Sequence, residues 1–214
     1  MVGEFNLENI EFDDGYKIAE SFSRGRVLVS QTEPNCTKLV MVVQSSNLVR
    51  TLELYCQPHH WNPLMENFSI VNRLHDNVFV MYERYKPHDL ASRCRDFVFV
   101  RAAVKRGERL FVVEKSVEHP NFPEGHSIVR GKIKERVVAL IPHPQDPQTV
   151  MMVIRMNIDF GGFNSTDDNI AMAVAMLKHV TCFRDYCAQK ELLQHEMTSP
   201  LYCFKTTYSE KSLI

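Results

Sequence analysis

The chain has 214 residues, 44% of them apolar, and its 25 basic and 26 acidic side chains leave a net charge of −1 at neutral pH. This length suits one large domain, or one domain with tails, and the apolar fraction allows a sizeable core. The balanced charge gives no excess of basic residues for binding nucleic acid. The sequence contains no run of 18 apolar residues, so no membrane-spanning helix is predicted.

The N-terminal segment, residues 1–24, has a mixed composition and can hold a short helix. Its acidic start lacks both the apolar core of a signal peptide and the arginines of a transit peptide. The six cysteines form no CxxC pair and no finger-like pairing with histidine, so we expect reduced thiols. These features predict a cytoplasmic protein.

The first regular elements follow this segment. Residues 26–32 and 37–44 are rich in β-branched and apolar side chains, which predicts two strands around a turn. Asn47 then stands where it can cap a helix that Pro58 would stop.

The middle of the chain has the sequence pattern of a series of β-strands. Strands are predicted at residues 68–74, 77–85, 96–106, 109–117, 127–133, 136–143 and 149–159. The links between them are short, and Arg106-Gly107-Glu108 forms a hairpin turn, so we expect an antiparallel meander.

One long helix is predicted after the last strand. Ser165 or Thr166 can cap it, and helical periodicity continues to about residue 193, before a tail at 194–214. Its apolar arc, which includes Met172 and Met176, is wider than a usual stripe. That breadth fits either ordinary core packing or contact with a sheet and a flexible apolar guest.

The stretch RDFVFVRAAVKR places a charge in an apolar pattern. Alternation along a strand puts Phe97, Phe99, Arg101 and Ala103 on one face. Arg101 therefore lies either at a solvated edge or in the interior with a partner, and the pattern alone leaves both open.

Catalytic and metal-binding patterns are not found in the sequence. The nine histidines fit no metal-ligand spacing, and there is no Walker loop, no dinucleotide-binding glycine pattern and no nucleophile elbow. We therefore predict no enzyme activity, no metal and no cofactor.

The order of several motifs resembles the START domain family of lipid-transfer proteins. The matching segments are WNP (61–63), FVMYERY (79–85), RDFVFVRAAVKRG (95–107), FPEGHSIVRG (122–131), IPHP (141–144) and MNIDFGGF (156–163). The resemblance implies an α+β helix-grip fold, in which a curved antiparallel sheet wraps a long C-terminal helix around an internal lipid tunnel. Residues 25–193 would form this domain.

What the resemblance implies for function is the carriage of one lipid, a phospholipid or a sterol, between membranes. Such a carrier would be a monomer that contacts membrane surfaces peripherally and transiently. Two alternatives remain: an enzyme such as a cyclase or hydrolase on the same scaffold, and a ligand-responsive protein-interaction module.

The resemblance also implies a set of site residues. Arg101 would lie in the tunnel and pair with Glu83, which alternation places on one face with Phe79, Met81 and Tyr85. The candidate lipid-binding residues are Arg101, Glu83, Tyr85, Met81, Phe99, Trp61, Asn62, Met172, Met176 and Val180. The pair of Arg101 and Glu83 could receive a sterol hydroxyl.

A phospholipid headgroup is the other possibility. Tyr82, Tyr85, Phe97, Phe99 and Trp61 could form an aromatic site for choline, or they could be core. Arg95 could neutralise a phosphate, or it could be structural.

A gate is expected at the C-terminal helix and the loop 118–126. Phe122 and Pro123 are its candidate residues, with Phe122 dipping into a membrane interface. In the alternative, Phe122 packs back onto the domain.

Overall fold

A ten-stranded β-sheet organises the described part of the chain, which in this computed structural model comprises residues 10, 14–45, 47–125, 127–163 and 165–192. Its strands are β1 (Tyr16–Phe22), β2 (Gly25–Ser30), β3 (Cys36–Gln44), β4 (Met65–His75), β5 (Val78–Tyr85), β6 (Arg95–Arg106), β7 (Arg109–Ser116), β8 (Val129–Arg130), β9 (Lys132–Pro142) and β10 (Thr149–Asp159). The α-helices of the same residues are α1 (Leu48–Tyr55), α2 (Thr166–His179) and α3 (Thr181–Leu192), and a 3-10 turn at Pro58–His60 follows α1.

The strands pair in the order β1-β2-β3-β10-β9-β7-β6-β5-β4, and all of these pairs are antiparallel. The short β8 pairs in parallel with β6. Most neighbours in the sheet are also neighbours in sequence, as the predicted meander requires. The pairing of β3 with β10 is the long-range step that brings both ends of the domain together.

The two faces of the sheet have different surroundings. The inner face, which packs against all three helices, carries Phe97 and Phe99 of β6 in the main apolar cluster. The outer face carries Val98 and Ala102 in two smaller clusters. The alternation predicted for β6 is therefore confirmed. Burial of each phenylalanine side chain contributes about 2–3 kcal/mol to the free energy of folding.

The start of α2 is fixed by side-chain hydrogen bonds. Ser165 is the N-cap, since its hydroxyl accepts a hydrogen bond from the Asp168 N–H at 3.1 Å. The buried Asn169 donates to the Ile158 carbonyl at 2.7 Å and accepts from the Phe160 N–H at 2.8 Å. These bonds join α2 to the end of β10.

The predicted single C-terminal helix is two helices that meet at Val180. The Val180 N–H bonds to the Leu177 carbonyl, and the Phe183 N–H bonds to the Val180 carbonyl, so the turn tightens locally to three-residue spacing. The Thr181 hydroxyl donates a hydrogen bond to the Lys178 carbonyl at 2.6 Å. The break lets both Val180 and Phe183 reach the core.

Two other predictions concern the ends of the domain. Segment 1–24 contains strand β1, which pairs with β2, so the sheet begins before residue 25, the predicted start of the domain. Most of residues 1–13 and the predicted tail at 194–214 lie outside the described residues.

The predicted strand at 127–133 is shortened by the passage of Gly131 beside Phe97. A Cβ atom on Gly131 would lie 2.2 Å from Phe97 Cε1, so only glycine allows this approach. As a result β8 has two residues, and β9 starts at Lys132 and extends through the next predicted strand.

Candidate functional site

Arg101 is buried and paired on the inner face of the sheet. Its Nε donates to Glu114 Oε1 at 2.5 Å, and its Nη2 donates to Glu83 Oε1 at 3.1 Å. The side chain of Arg101 is 5% exposed. The structure therefore contradicts the solvated-edge alternative, and it confirms that Glu83 is a partner.

A second arginine, Arg136 of β9, closes the pair into a ring. Its Nη2 donates to Glu83 Oε2 at 3.0 Å, and its Nε donates to Glu114 Oε2. Tyr85 adds a hydroxyl hydrogen bond to Glu83 Oε2 at 2.8 Å. We call Glu83, Arg101, Glu114 and Arg136 the inner charge ring; it contains two positive and two negative charges.

Strand register explains how the ring assembles. Glu114 of β7 lies directly opposite Arg101 on one side and Arg136 on the other. Glu83 lies further along β5, and the two guanidinium groups reach it across Phe99, whose ring centre is 5.5 Å from Arg101 Cζ and 5.1 Å from Arg136 Cζ. Phe99 is thus the apolar floor beneath the two cations.

The electrostatics of the ring depend on its closure. Moving a lone ion into a protein interior costs several kcal/mol, and each ring member has two opposite charges to offset that cost. Burial by itself raises the pKa of Glu114, but the charges of Arg101 and Arg136 outweigh it and lower that pKa. Burial, and then the charge of Glu83, raise the pKa of Tyr85.

An internal cavity lies between the inner face and α2. Its lining consists of Tyr55, Trp61, Asn62, Tyr85, Phe97, Arg136, Ile154, Met156, Ile158, Phe160, Met176, Leu177 and Val180. Five of the predicted lipid-binding residues are in that lining, namely Trp61, Asn62, Tyr85, Met176 and Val180. The only charged side chain in it is Arg136.

The volume of this cavity is about 50 Å³. Pockets that hold drug-sized ligands have roughly 300–1,000 Å³, so a lipid would require the walls to move apart. Helix α2 contributes Met176 and Leu177 to the lining, and Val180 follows the last residue of this helix.

The other predicted lipid-binding residues lie behind the cavity wall. Met81, Phe99 and Met172 are buried in the main apolar cluster without lining the cavity. Glu83 accepts hydrogen bonds from the lining residues Arg136 and Tyr85, and Arg101 donates to Glu83, so these two residues are connected to the cavity only indirectly.

The predicted aromatic site forms in part, since Trp61, Tyr85 and Phe97 line the inner cavity and Phe99 and Tyr82 do not. Tyr82 points to the outer face, where it belongs to a cluster with Val80 and Val98, so alternation on β5 separates it from Tyr85. Trp61 packs against Phe183 with ring centres 5.3 Å apart. Tyr85 and Phe97 contact each other edge to face, with ring centres 5.9 Å apart.

Arg95 is structural. Its guanidinium donates to the carbonyls of Phe160 and Gly161, both at 3.2 Å, and to that of Arg93 at 2.9 Å. These bonds hold the turn that precedes α2, in which Gly161 and Gly162 both have φ of +68°. The guanidinium that was considered for a phosphate is therefore bonded to backbone carbonyls.

The predicted gate residues Phe122 and Pro123 lie on the outer face. Phe122 stacks on Tyr82 with ring centres 4.6 Å apart, and its carbonyl accepts a hydrogen bond from Arg130 at 3.2 Å. Phe122 thus packs back onto the domain, and its placement gives the gate prediction no support.

Phe122 and Pro123 also line an outer pocket of about 880 Å³. This pocket is larger than the inner cavity, but its lining includes Glu118, Glu124, Asp159 and Lys132. Charged walls do not suit the apolar body of a lipid, so we place the candidate site on the inner face.

Glu114 and Arg136 were missed in the sequence, although a signal was present. Each is a charge in an apolar alternation, Leu110-Val112-Glu114 on β7 and Arg136-Val138-Leu140 on β9. The same pattern had singled out Arg101. Applied to neighbouring strands, it would have marked Glu114 and Arg136 as further candidates.

The described residues contain no group of three or more histidine, cysteine, aspartate or glutamate side chains that could hold a metal ion. None of the helices in the same residues is long and apolar enough to cross a membrane.

Comparison with known proteins identifies the family. The START domain model matches residues 24–161, which is more than half of the chain. A relative from Salvelinus fontinalis, steroidogenic acute regulatory protein, mitochondrial, is 27% identical over 160 residues; the match covers 70% of this chain and 55% of the relative. The chain therefore spans about half the length of that relative.

Solved structures show the same fold. Human STARD10 superposes with a TM-score of 0.75 at 17% identity, covering 87% of this chain and 79% of its own. Human StAR-related lipid transfer protein 5 gives a TM-score of 0.72 at 17% identity, covering 83% and 88%. The curved antiparallel sheet with C-terminal helices is thus the predicted helix-grip fold. The chain belongs to the START domain family.

Proposed function

We propose that the protein binds a single lipid between the inner face of the sheet and helix α2, and that it carries this lipid between membranes. The observation that carries the proposal is the inner charge ring, a closed polar group at the wall of an otherwise apolar interior. Membership of the START domain family, and the name of its structural neighbour, a lipid transfer protein, support it.

The ring makes physical sense as a fixed polar point rather than as a stabiliser. A buried ion-pair network contributes little net stability compared with apolar side chains of similar volume. At the wall of an apolar cavity, however, it provides hydrogen-bonding capacity that can orient one polar group of a ligand, directly or through water.

The small cavity gives the proposal a specific requirement. A lipid can enter only if the cavity walls move apart, and the break at Val180 divides the C-terminal helical region at one of these walls. Met176 and Met156 line opposite sides of the cavity, and methionine side chains readily adapt their shape to a guest.

The test is to purify the protein, extract it with organic solvent and identify bound lipids by mass spectrometry, and then to measure transfer between labelled donor and acceptor vesicles. We expect one lipid per chain and transfer that depends on protein concentration. Absence of any bound or transferred phospholipid, sterol or sphingolipid contradicts the proposal.

The proposal assigns no chemical reaction and no partner chain. The proposed carrier acts as a monomer. Five cysteines of the described residues are free thiols, which supports a reducing compartment such as the cytoplasm, with transient contact at membrane surfaces. Recovery of a chemically altered lipid after incubation would instead favour an enzyme.

A further inference from the structure

The inner charge ring offers the cavity hydrogen-bond donors. Both carboxylate oxygens of Glu83 and both of Glu114 already accept hydrogen bonds from the arginines. The arginines use Nε and Nη2 for these four bonds, and Nη1 of each takes no part in them. The bonding capacity that remains on the charged groups is therefore mainly that of guanidinium N–H.

Arg136 is the ring member that reaches the cavity. Its side chain is 11% exposed, whereas those of Arg101, Glu83 and Glu114 are 5%, 2% and 0% exposed. Arg136 also lines the cavity, and the other three do not. Arg101, which the family resemblance singled out, stands one layer behind it.

We propose that Arg136 is the specificity-determining residue of the lipid site and that it donates from Nη1 to an uncharged oxygen of the bound lipid. This inference rests on the proposed function. It assigns the ligand to the neutral lipids that carry a carbonyl or hydroxyl oxygen, whether on a steroid skeleton or on an acyl chain.

A charged headgroup does not fit this position. The ring is electrically neutral, so an anion bound at Arg136 would lie beside the carboxylates of Glu83 and Glu114 without a cation of its own. A cation would find carboxylate oxygens that are already hydrogen-bonded. An uncompensated charge in such an interior costs several kcal/mol, whereas a neutral oxygen needs only a donor.

Carbonyl and hydroxyl oxygens both satisfy the site. A carbonyl accepts from Arg136 and requires nothing else. A hydroxyl accepts from Arg136 and can give its own hydrogen to the Tyr85 oxygen, because Tyr85 directs its hydrogen to Glu83 at 2.8 Å and also lines the cavity.

Two matched series of probes test the inference. One comprises methyl palmitate, palmityl alcohol, hexadecane and palmitate; the other comprises cholestenone, cholesterol, cholestene and cholesterol sulfate. Trp61, the only tryptophan, lines the cavity, so its fluorescence reports binding. In at least one series we expect the neutral oxygen compounds to bind about tenfold more tightly than the hydrocarbon, and more tightly than the anion.

Arg136→Lys removes Nη1 and keeps the charge, so the preference for oxygen over hydrocarbon should fall from about tenfold to near unity. Arg155→Lys is the matched control, because Arg155 also contacts two glutamates but lies on the outer face. This control should keep the full preference. A preference that survives Arg136→Lys overturns the inference, as does tightest binding of the anion.

Two further measurements keep the outcomes separate. If Arg136→Lys lacks a cooperative thermal transition, the pair Arg136→Gln and Glu114→Gln leaves the Arg101–Glu83 ion pair intact and should lose the same preference. If the wild-type protein is purified with a charged-headgroup lipid, the inference about Arg136 fails and the carrier function stands. If no lipid binds, the carrier function itself fails.

Discussion

The same sheet carries an arginine–glutamate cluster on each face, and the two differ in closure. The outer charge cluster consists of Arg155 with Glu33 at 2.7 Å, Glu135, and the hydroxyl of Tyr16 at 3.3 Å, which itself contacts the Cys36 thiol at 3.3 Å. It is an open chain of contacts around one guanidinium. The inner charge ring alternates two cations and two anions with no free end.

The two clusters also differ in how far their glutamate side chains are exposed to solvent. Glu33 and Glu135 are 50% and 26% exposed, whereas the glutamates of the inner ring are almost fully buried. Water can replace a lost partner on the outer face, but it is largely excluded on the inner face. Similar side chains should therefore have different energetic consequences on the two sides of one sheet.

The largest expected difference is between Arg101→Leu and Arg155→Leu. The first leaves Glu83 and Glu114 buried with one remaining cation, so it should lower the free energy of unfolding by roughly 3–5 kcal/mol. The second leaves glutamates that water can solvate, and should lower it by about 1 kcal/mol. Urea unfolding of the two variants checks this, and equal losses would show that the inner face is solvated.

Acid should act on the inner ring through Glu114. Its pKa in the folded protein is lowered, so its contribution to stability is present above the ordinary value of 4.5 and is lost as the pH falls below that value. Below that point the wild-type protein should lose up to about 1.4 kcal/mol per pH unit through this group.

The matched variant for this prediction is Glu114→Gln, which cannot lose that contribution. We expect it to be less stable than the wild-type protein at neutral pH and to approach it as the pH falls below 4.5. Parallel stability curves between pH 7 and pH 3 would mean that folding does not lower the pKa of Glu114.

Removing one charge of each sign should cost less than removing one alone. Arg101→Leu combined with Glu83→Gln leaves the neutral pair Glu114–Arg136 and preserves an oxygen acceptor for Tyr85. We expect the double variant to recover most of the loss and to lie within about 1–2 kcal/mol of the wild-type protein. A double variant as unstable as Arg101→Leu would show that the loss comes from packing and not from unpaired charge.

Salt should produce the smallest difference. Raising the ionic strength from about 0.1 M to about 1 M shortens the screening length from about 10 Å to about 3 Å, but only where ions have access. In double-mutant cycles, the coupling of Arg155 with Glu33 should fall by about 0.3 kcal/mol, and that of Arg101 with Glu114 should not change. A salt-dependent inner coupling would indicate that solvent reaches the ring.

Local patterns predicted much of the fold. The alternation of β5 and β6, the helix cap at Asn47 and the turn at Gly107 are short-range features, and each is found in the structure. The pairing of Arg101 with Glu83 was implied by the family resemblance and not by the strand pattern. Features within one strand or turn are legible because neighbouring residues alone determine them.

The sequence by itself determined which strands carry a charge among apolar residues, since side-chain alternation has a fixed period of two. It did not determine that Arg101, Glu83, Glu114 and Arg136 would meet, because their contacts depend on the order and register of four strands. Nor did it determine that Arg136 faces the cavity or that Phe122 lies on the outer face. Those placements depend on which surfaces the helices cover, and only tertiary packing decides that.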